Sequence, residues 1–330
     1  MKKIAIIGAG AWGSALAQAA ALAGNEVMLF CWSEKIANQI NKTHKNEEFL
    51  GEQMLSEKII ALYGYQQIKN ADMVLMVVPA QATALVLQEI DDEALVNKPV
   101  ILCAKGLEQD TLARQSEILM REKPLAIPMV LSGPSFAKDV AKGLPTAVTL
   151  AGNDIELTKM VASALAGASF RPYVRSDIIG VELAGSLKNV YALACGAVDG
   201  AKLGLSARSA LIARSYAEME RLVIKMGGDK YTMSGLAGLG DLTLSCTSTQ
   251  SRNYWFGQQL GMGNSVQEIK DSGAKLAEGV ISAPVAQQLA KNYNIEVPLI
   301  DAVNDLLKNR VGIKQMVIDL MRRPLKEEGK

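Results

Sequence analysis

The stretch that decides the fold is Lys3-Ile4-Ala5-Ile6-Ile7-Gly8-Ala9-Gly10-Ala11-Trp12-Gly13. A short apolar run ends in a G-x-G-x-x-G turn and leads into residues 11–23, which have helical composition. In a strand–turn–helix unit of this kind, Gly8 permits the tight turn, Gly10 lets the backbone approach a pyrophosphate, and Gly13 lets helix and strand pack closely. The positive end of the helix dipole also favours phosphate groups. The sequence therefore predicts dinucleotide binding at this turn.

Short β-branched runs alternate with helical stretches as far as Arg175. The predicted strands are 3–7, 26–31, 58–62, 73–78, 100–104, 127–131, 146–151 and 170–174. The predicted helices between them are 11–23, 80–89, 107–121 and 154–165. This alternation is typical of β-α-β crossovers and predicts an α/β domain with a Rossmann-type, doubly wound, largely parallel sheet.

Beyond Arg175 the strand signals stop and helical periodicity takes over. Helices are predicted at 180–198, 206–226, 250–261, 276–291, 299–309 and 313–322. Ser206 is the candidate N-cap of the second of these, and Gly227-Gly228 its stop signal. We therefore predict a dinucleotide-binding Rossmann domain at 1–178 and an all-helical substrate-binding and catalytic domain at 179–330.

The composition excludes several functional classes. The 330 residues are 49% hydrophobic, and 35 Lys+Arg against 34 Asp+Glu leave a formal net charge of +1. Such a chain is not disordered, and it has no excess of basic residues that would indicate nucleic acid or an anionic membrane. No uninterrupted apolar run reaches the ~18 residues that a membrane helix needs, so no membrane insertion is expected.

The cysteine and histidine content restricts the available chemistry. Four cysteines stand far apart with no C-x-x-C pair, which suits a reducing cytoplasm. His44 is the one histidine and is expected at the surface, so no multi-histidine metal site can form and no metal is expected. Unless His44 itself serves, the general acid or base is a Lys, Asp, Glu, Tyr or Cys.

The cofactor is not fixed by the second strand. In this fold that strand ends in an acidic residue for a ribose 2′-hydroxyl, or near an arginine for a 2′-phosphate. Here it ends in Phe30-Cys31-Trp32-Ser33-Glu34, with neither at its tip. The choice between NAD and NADP stays open on these residues.

Two later strands end in loops that carry polar residues. One strand leads into Lys105-Gly106, and another leads into Ser132-Gly133-Pro134-Ser135. Ligands of open α/β sheets bind at the carboxyl ends of strands, where both loops are expected. Lys105 is alternatively a solvated lysine, and Ser135 alternatively a helix cap.

Lys188 lies within an apolar predicted helix. Its neighbours at helical spacing are all small: Ala184, Gly185, Ala192 and Cys195. A lysine desolvated on such a face has room for a ligand beside it and exchanges a proton near neutral pH. The alternative is a lysine that extends along a helix–helix contact towards solvent.

Two polar motifs follow in the helical half. The glycine-rich run 235–242 has no strand before it and leads into a helix whose first turn carries Asp241, either as a functional acid or as a cap. Ser251-Arg252-Asn253 follows a Ser/Thr-rich turn and opens another helix. Hydroxyl groups, a guanidinium and a helix amino terminus together form a plausible phosphate pocket.

Taken together, these segments resemble the NAD(P)-dependent glycerol-3-phosphate dehydrogenases of bacteria, over nearly the whole chain. The resemblance rests on 8–13, 77–79, 105–108, 132–136, 180–183, 188–189, 238–242, 251–253 and 278–279. It implies reversible hydride transfer between NAD(P)H and C2 of dihydroxyacetone phosphate, which supplies glycerol 3-phosphate for phospholipid synthesis. It also implies a cytoplasmic enzyme, commonly a homodimer.

The resemblance also implies roles for individual residues. Lys188 matches the proton donor and acceptor, and Lys105 and Asp241 are the further catalytic candidates. The implied substrate contacts are Lys105, Gly133, Ser135, Lys188, Asp241, Ser251, Arg252 and Asn253. The implied cofactor contacts, beside Gly8, Gly10 and Gly13, are Ala11, Trp12, Trp32, Lys105, Ala137, Arg252, Leu276 and Glu278. The family often carries Arg or His where Trp32 stands, so this difference bears on the choice between NAD and NADP.

Two alternatives remain at this stage. Another lysine-dependent dehydrogenase, acting on a small hydroxy acid, would keep the glycine motif and Lys188 but would not need Arg252. A non-catalytic NAD(H) sensor would bind the nucleotide without turnover.

Overall fold

The computed structural model describes residues 1–273 and 277–322. Two compact units are present. The first contains Met1–Glu108 and Ala113–Glu182, and the second contains Gln109–Leu112 and the chain from Leu183 onward.

The first unit is built on one eight-stranded sheet. Its strands are β1 (Lys3–Ile7), β2 (Glu26–Cys31), β3 (Ile59–Tyr63), β4 (Met73–Met76), β5 (Pro99–Leu102), β6 (Ile127–Ser132), β7 (Thr146–Gly152) and β8 (Phe170–Arg175). Its helices are α1 (Ala11–Leu22), α2 (Glu34–Thr43), α3 (Glu47–Leu50), α4 (Thr83–Glu89), α5 (Gln115–Glu122), α6 (Ala137–Ala141) and α7 (Ile155–Leu165), with 3₁₀ turns at Gln66–Asn70, Ala80–Ala82 and Asp92–Leu95. All eight strands and the α/β class were predicted from the sequence, and both predictions are confirmed.

The order of the strands is β3-β2-β1-β4-β5-β6-β7-β8, and every neighbouring pair is parallel except β6 with β7. Ile4 to Ile7 of β1 are fully buried, as are all four residues of β4. Such continuous apolar strands are expected where helices cover both faces of a parallel sheet. The strand order reverses beside β1, between β2 and β4, which places the loop after β1 at the topological switch point where α/β proteins bind ligands.

The second unit is helical throughout its described residues. Its helices are α8 (Ile178–Gly200, which begins in the first unit), α9 (Leu205–Lys225), α10 (Lys230–Met233), α11 (Asp241–Thr247), α12 (Arg252–Gly261), α13 (Val266–Asp271), α14 (Glu278–Asn292), α15 (Pro298–Leu307) and α16 (Ile313–Met321). Among the described helices, α8 alone has the length and apolar composition of a membrane span, but 94% of its apolar window is buried inside the protein. It is therefore the core helix of this unit.

Two local predictions were wrong, and one alternative interpretation is excluded. The helix predicted from residue 107 begins only at Gln115, because the preceding segment is irregular and Leu112 adopts a positive φ of 62°. Ser206 does not cap α9, which begins one residue earlier after Gly204 at a φ of 93°. Ser135 does not cap α6 either, since Phe136 occupies the N-cap position.

The amino end of α15 is capped by a carboxylate that is distant in sequence. Glu218, on α9, is buried and accepts hydrogen bonds from the backbone N–H groups of Leu299 (3.0 Å) and Ile300 (3.1 Å). The hydroxyl of Tyr191, on α8, also donates to it at 3.4 Å. Burial raises the pKa of Glu218 to about 7 despite these donors, with Arg221 opposing the shift and Asp301 adding to it.

The free energy of unfolding is therefore expected to fall as the pH rises from about 4.5 to above 7. The folded protein binds the proton of Glu218 more tightly than the unfolded chain does. The stabilisation that results is complete at low pH and disappears as the pH rises past about 7. Its size is about 3 kcal/mol. Denaturant unfolding of Glu218→Gln between pH 5 and 8 should lack this component. The same change at Glu220, on the same helix, should retain it; equal pH profiles for the two variants would contradict the assignment.

Candidate active site

The three glycines of the loop after β1 differ in the space around them. Gly8 has a φ of 109°, and a Cβ there would lie 2.8 Å from the carbonyl oxygen of Val77. A Cβ on Gly13 would lie 1.8 Å from the carbonyl oxygen of Gly8, so helix α1 can approach the loop only without one. At Gly10 a Cβ would meet nothing within 4 Å. The space beside Gly10 is thus open, as close approach of a pyrophosphate requires.

Other groups around this loop suit a nucleotide. The indole Nε1 of Trp12, in the first turn of α1, is buried and has no hydrogen-bond partner among the described residues. A buried donor without a partner is costly unless a ligand or water accepts from it. At the tip of β2, Trp32 is 52% exposed and packs edge-on against Phe49, with the ring centroids 5.5 Å apart. The residues present therefore fit a bound dinucleotide.

Lys105, Gly133 and Ser135 come together at the carboxyl ends of the adjacent parallel strands β5 and β6. The Nζ of Lys105 donates to the carbonyl oxygen of Gly133 at 3.2 Å, and the Ser135 hydroxyl donates to the same oxygen at 3.0 Å. Ala137 begins helix α6 immediately afterwards. The sequence prediction that the two strand-end loops lie at one edge of the sheet is confirmed.

Lys188 forms a buried ion pair in the second unit. Its Nζ lies 2.6 Å from Oδ1 of Asp241 and 2.6 Å from the hydroxyl oxygen of Ser245. The Ser245 hydroxyl in turn lies 3.4 Å from the same carboxylate oxygen. The lysine side chain is 9% exposed and that of Asp241 1% exposed. A charged pair this deeply buried is stable only when its charges are paired and hydrogen-bonded. The contacts among Lys188, Asp241 and Ser245 form a network of this kind.

The local sequence explains how Asp241 reaches this position. The run Leu236–Gly240 forms a single π-helical turn that continues directly into α11. At Gly238 a Cβ would lie 2.1 Å from the carbonyl oxygen of Met233, so only glycine permits the turn to pack this closely. Asp241 and Ser245 are then spaced i, i+4 and share one face of α11. Ser245 was not predicted as a partner of Lys188, although its i, i+4 spacing from Asp241 is visible in the sequence.

A buried amide network joins the residues that follow Lys188 and Arg252. Asn253 donates from Nδ2 to Oδ1 of Asn189 at 2.8 Å, and its own Oδ1 accepts from the backbone N–H of Gly279 at 2.8 Å. The start of α14, where Glu278 lies, is thereby fixed to α8 and α12. Asn253 is 8% exposed, and both ends of its amide are already bonded within the protein.

Glycine pairs set the contact between α8 and α12. On α8, a Cβ at Gly196 would lie 1.9 Å from the carbonyl oxygen of Tyr254, and one at Gly200 would lie 2.0 Å from that of Gln258. On α12, Gly257 and Gly261 meet the backbone of α8 equally closely. Two small-x-x-x-small faces therefore bring the helix of Lys188 and the helix of Arg252 into backbone contact. Some of the small residues of α8, Gly196 and Gly200, are therefore explained by helix packing.

The remaining candidates occupy helix starts. Ser251 caps α12, since its hydroxyl accepts from the backbone N–H of Tyr254 at 3.3 Å. Arg252 is exposed in the first turn of that helix, and no described carboxylate pairs with it. Leu276 lies outside the described residues. His44, expected at the surface, is half-buried and ends α2 with a φ of 50°.

A glycine loop at the switch point of a parallel sheet is typical of proteins that bind a dinucleotide, and the second unit contains the buried pair of Lys188 and Asp241. These features are typical of a nucleotide-dependent dehydrogenase. The family described as NAD-dependent glycerol-3-phosphate dehydrogenase matches both halves, its N-terminal part over residues 3–158 and its C-terminal part over residues 177–318. The chain belongs to this family.

Named relatives agree with this membership. The chain is 43% identical to a glycerol-3-phosphate dehydrogenase [NAD(P)+] from Maricaulis maris, over 98% of this chain and 97% of the relative. It is 44% identical to the protein of the same name from Parvibaculum lavamentivorans, over 99% and 98%. The crystal structure of glycerol-3-phosphate dehydrogenase from Coxiella burnetii superposes with a TM-score of 0.90 at 37% identity, covering 98% and 99% of the two chains. These matches do not favour the hydroxy-acid or sensor alternatives.

Proposed function

We propose that this protein is an NAD(P)-dependent sn-glycerol-3-phosphate dehydrogenase that interconverts dihydroxyacetone phosphate and glycerol 3-phosphate for phospholipid synthesis. The observation that carries the proposal is the buried network of Lys188, Asp241 and Ser245, in a chain that belongs to this family over both of its halves. The nicotinamide supplies the hydride when the cofactor is bound.

Lys188 acts as the proton donor in reduction and the acceptor in oxidation. Hydride addition at C2 leaves negative charge on the former carbonyl oxygen, which the ammonium stabilises and then protonates. Asp241 fixes the position of the Lys188 Nζ and balances its charge, and Ser245 supplies a second fixed contact. The lysine therefore needs little reorganisation during the reaction, which is how preorganised polar groups lower a barrier.

Arg252 is the proposed anchor of the substrate phosphate. Its exposed guanidinium stands at the amino end of α12, where the helix dipole also favours an anion. A fixed phosphate places C2 for reaction, so binding energy far from the reacting carbon increases the rate. The proposed further substrate contacts are Lys105, Gly133, Ser135, Ser251 and Asn253.

The domain of residues 1–178 is the proposed cofactor-binding part, and 179–330 the proposed substrate-binding and catalytic part. The loop of Gly8, Gly10 and Gly13 receives the pyrophosphate, and the Trp12 Nε1 donor gains an acceptor from the ligand. The other proposed cofactor contacts are Ala11, Trp32, Lys105, Ala137, Arg252, Leu276 and Glu278.

Both NADH and NADPH are expected to serve, with kcat/KM values within about 100-fold of each other. No carboxylate at the tip of β2 repels a 2′-phosphate, and no arginine there attracts one. Trp32→Arg should shift the ratio towards NADPH by about 10-fold, because a guanidinium would then face the 2′-phosphate. Because Trp32 is exposed, this change leaves the core intact. A wild-type preference above 100-fold would show that another residue reads the ribose.

We also propose a cytoplasmic homodimer. Sedimentation analysis of the purified protein tests the dimer, and cell fractionation tests the compartment. A monomer at working concentration, or recovery with membranes, would contradict these assignments.

The activity is tested directly by the loss of NADH or NADPH absorbance on addition of dihydroxyacetone phosphate. Turnover with this substrate, and little with unphosphorylated dihydroxyacetone, is expected. Preferential turnover of a small 2-keto acid would favour the hydroxy-acid alternative. NADH binding without turnover of any of these compounds would favour a sensor.

A further inference from the structure

Asn46 is a buried polar residue that the proposed reaction does not use. It lies between α2 and α3 and is 3% exposed. Its side-chain Nδ2 donates to the carbonyl oxygen of Ala9 at 2.8 Å and to the hydroxyl oxygen of Ser14 at 2.8 Å. A carbonyl oxygen only accepts hydrogen bonds, so the atom that faces Ala9 is the amide nitrogen.

The bond to Ala9 determines where the next backbone N–H points. In a planar trans peptide the C=O of one residue and the N–H of the next point in opposite directions. Since the Ala9 carbonyl faces Asn46, the Gly10 N–H points away from Asn46. The second bond, to Ser14, fixes the first turns of α1, where the Ser14 N–H already closes on the Gly10 carbonyl at 2.9 Å.

We propose that Asn46 is a positioning residue for the dinucleotide pyrophosphate: it fixes the Ala9–Gly10 peptide so that the Gly10 N–H is presented to the phosphates. The inference rests on the proposed cofactor binding. Without the two bonds, the glycine loop would have more conformational freedom in the unbound protein. Ligand binding would have to remove this freedom, which lowers the affinity.

The same residue connects the loop to the tip of β2. The Asn46 carbonyl accepts from the backbone N–H groups of Phe49 (3.1 Å) and Leu50 (2.8 Å) and so begins α3. Phe49 packs edge-on against Trp32. The short segment 46–50 therefore joins the glycine loop to the strand tip that faces the ribose in this fold.

The experiment measures Kd for NADH and for ADP-ribose by tryptophan fluorescence, without substrate. Asn46→Ala is expected to weaken both ligands by about 10-fold, because it removes the bonds to Ala9 and to Ser14 together. At saturating NADH, kcat and the KM of dihydroxyacetone phosphate should change less than about 2-fold, since the loss concerns cofactor affinity alone. Asn46→Asp should weaken NADH at least as much, because a carboxylate oxygen would then face the Ala9 carbonyl.

Asn41, an exposed asparagine on the neighbouring helix α2, provides the control. Its side chain likewise makes two hydrogen bonds, both with the backbone of Ala61: it donates to the carbonyl oxygen at 2.9 Å and accepts from the N–H at 2.8 Å. Neither bond involves the glycine loop. Asn41→Ala should leave Kd for NADH unchanged, and the Tm of each variant records what its substitution costs in stability. If Asn46→Ala does not fold, Ser14→Ala removes one of the two bonds and should weaken NADH by about 3-fold.

Two outcomes would overturn this proposal without touching the proposed function. Unchanged Kd for NADH in Asn46→Ala or, failing that, in Ser14→Ala would remove Asn46 from cofactor positioning while leaving the proposed activity intact. Equal loss of affinity in Asn41→Ala and Asn46→Ala would show a general effect on stability. Failure of the wild-type protein to bind NADH would instead refute the proposed function, and this inference with it.

Discussion

Replacement of Lys188 by alanine is expected to lower kcat by about 10²–10⁴-fold, the usual range for loss of a general acid. The corresponding loss of transition-state stabilisation is about 3–5 kcal/mol. Steady-state oxidation of NADH with dihydroxyacetone phosphate measures the loss. Kd for NADH should stay nearly unchanged, because the glycine loop belongs to the other unit. Retention of more than about a tenth of the wild-type kcat would exclude Lys188 from the catalytic role.

The same substitution leaves the Asp241 carboxylate buried without its cation. Removal of one partner of a buried ion pair typically costs about 3–5 kcal/mol of stability, so lost activity alone would be ambiguous. The double variant Lys188→Met/Asp241→Asn removes both charges and should recover much of the lost stability without recovering turnover. A double variant that regains activity together with Tm would show that Lys188 is structural.

The fold was largely predictable because its signals are local. The apolar run Ile4–Ile7 has the length and β-branched composition of a strand covered on both faces, and the glycines that follow it are typical of a tight turn. The start of α5 was not predictable in this way. Residues 107–114 have ordinary helical composition. A positive φ is typical of glycine or asparagine, so nothing in the sequence predicts one at Leu112.

The candidate site was predictable as a set of residues and not as a set of contacts. Small neighbours marked Lys188 as unusual, but its partner Asp241 lies 53 residues away, and no periodicity reports such a pairing. Asn46 illustrates the same limit, since its bond to Ala9 spans 37 residues. Long-range polar contacts depend on how helices pack. At the contact between α8 and α12, for example, which the bond between Asn189 and Asn253 spans, the packing depends on glycines.

Arg252→Gln is expected to lower kcat/KM for dihydroxyacetone phosphate by about 2–3 kcal/mol, or about 30–150-fold. One charge-assisted contact to a phosphate dianion is lost, because glutamine is polar but uncharged and is shorter than arginine. Because phosphate binding places C2 for reaction, kcat should fall together with any rise in KM. Kd for NADH and NADPH, measured separately, removes any contribution that Arg252 makes to cofactor binding.

Two comparisons decide whether this loss reports the phosphate. Arg214→Gln changes another exposed arginine of the second unit, on α9, and should leave kcat/KM unaltered. Unphosphorylated dihydroxyacetone should be a very poor substrate of the wild-type enzyme and should lose much less on the Arg252 substitution, because it has no dianion to lose contact with. An equal proportional loss for both substrates would show that Arg252 acts on something common to them, such as the cofactor. The phosphate would then have to be bound by other cations, of which Lys105 is the next candidate.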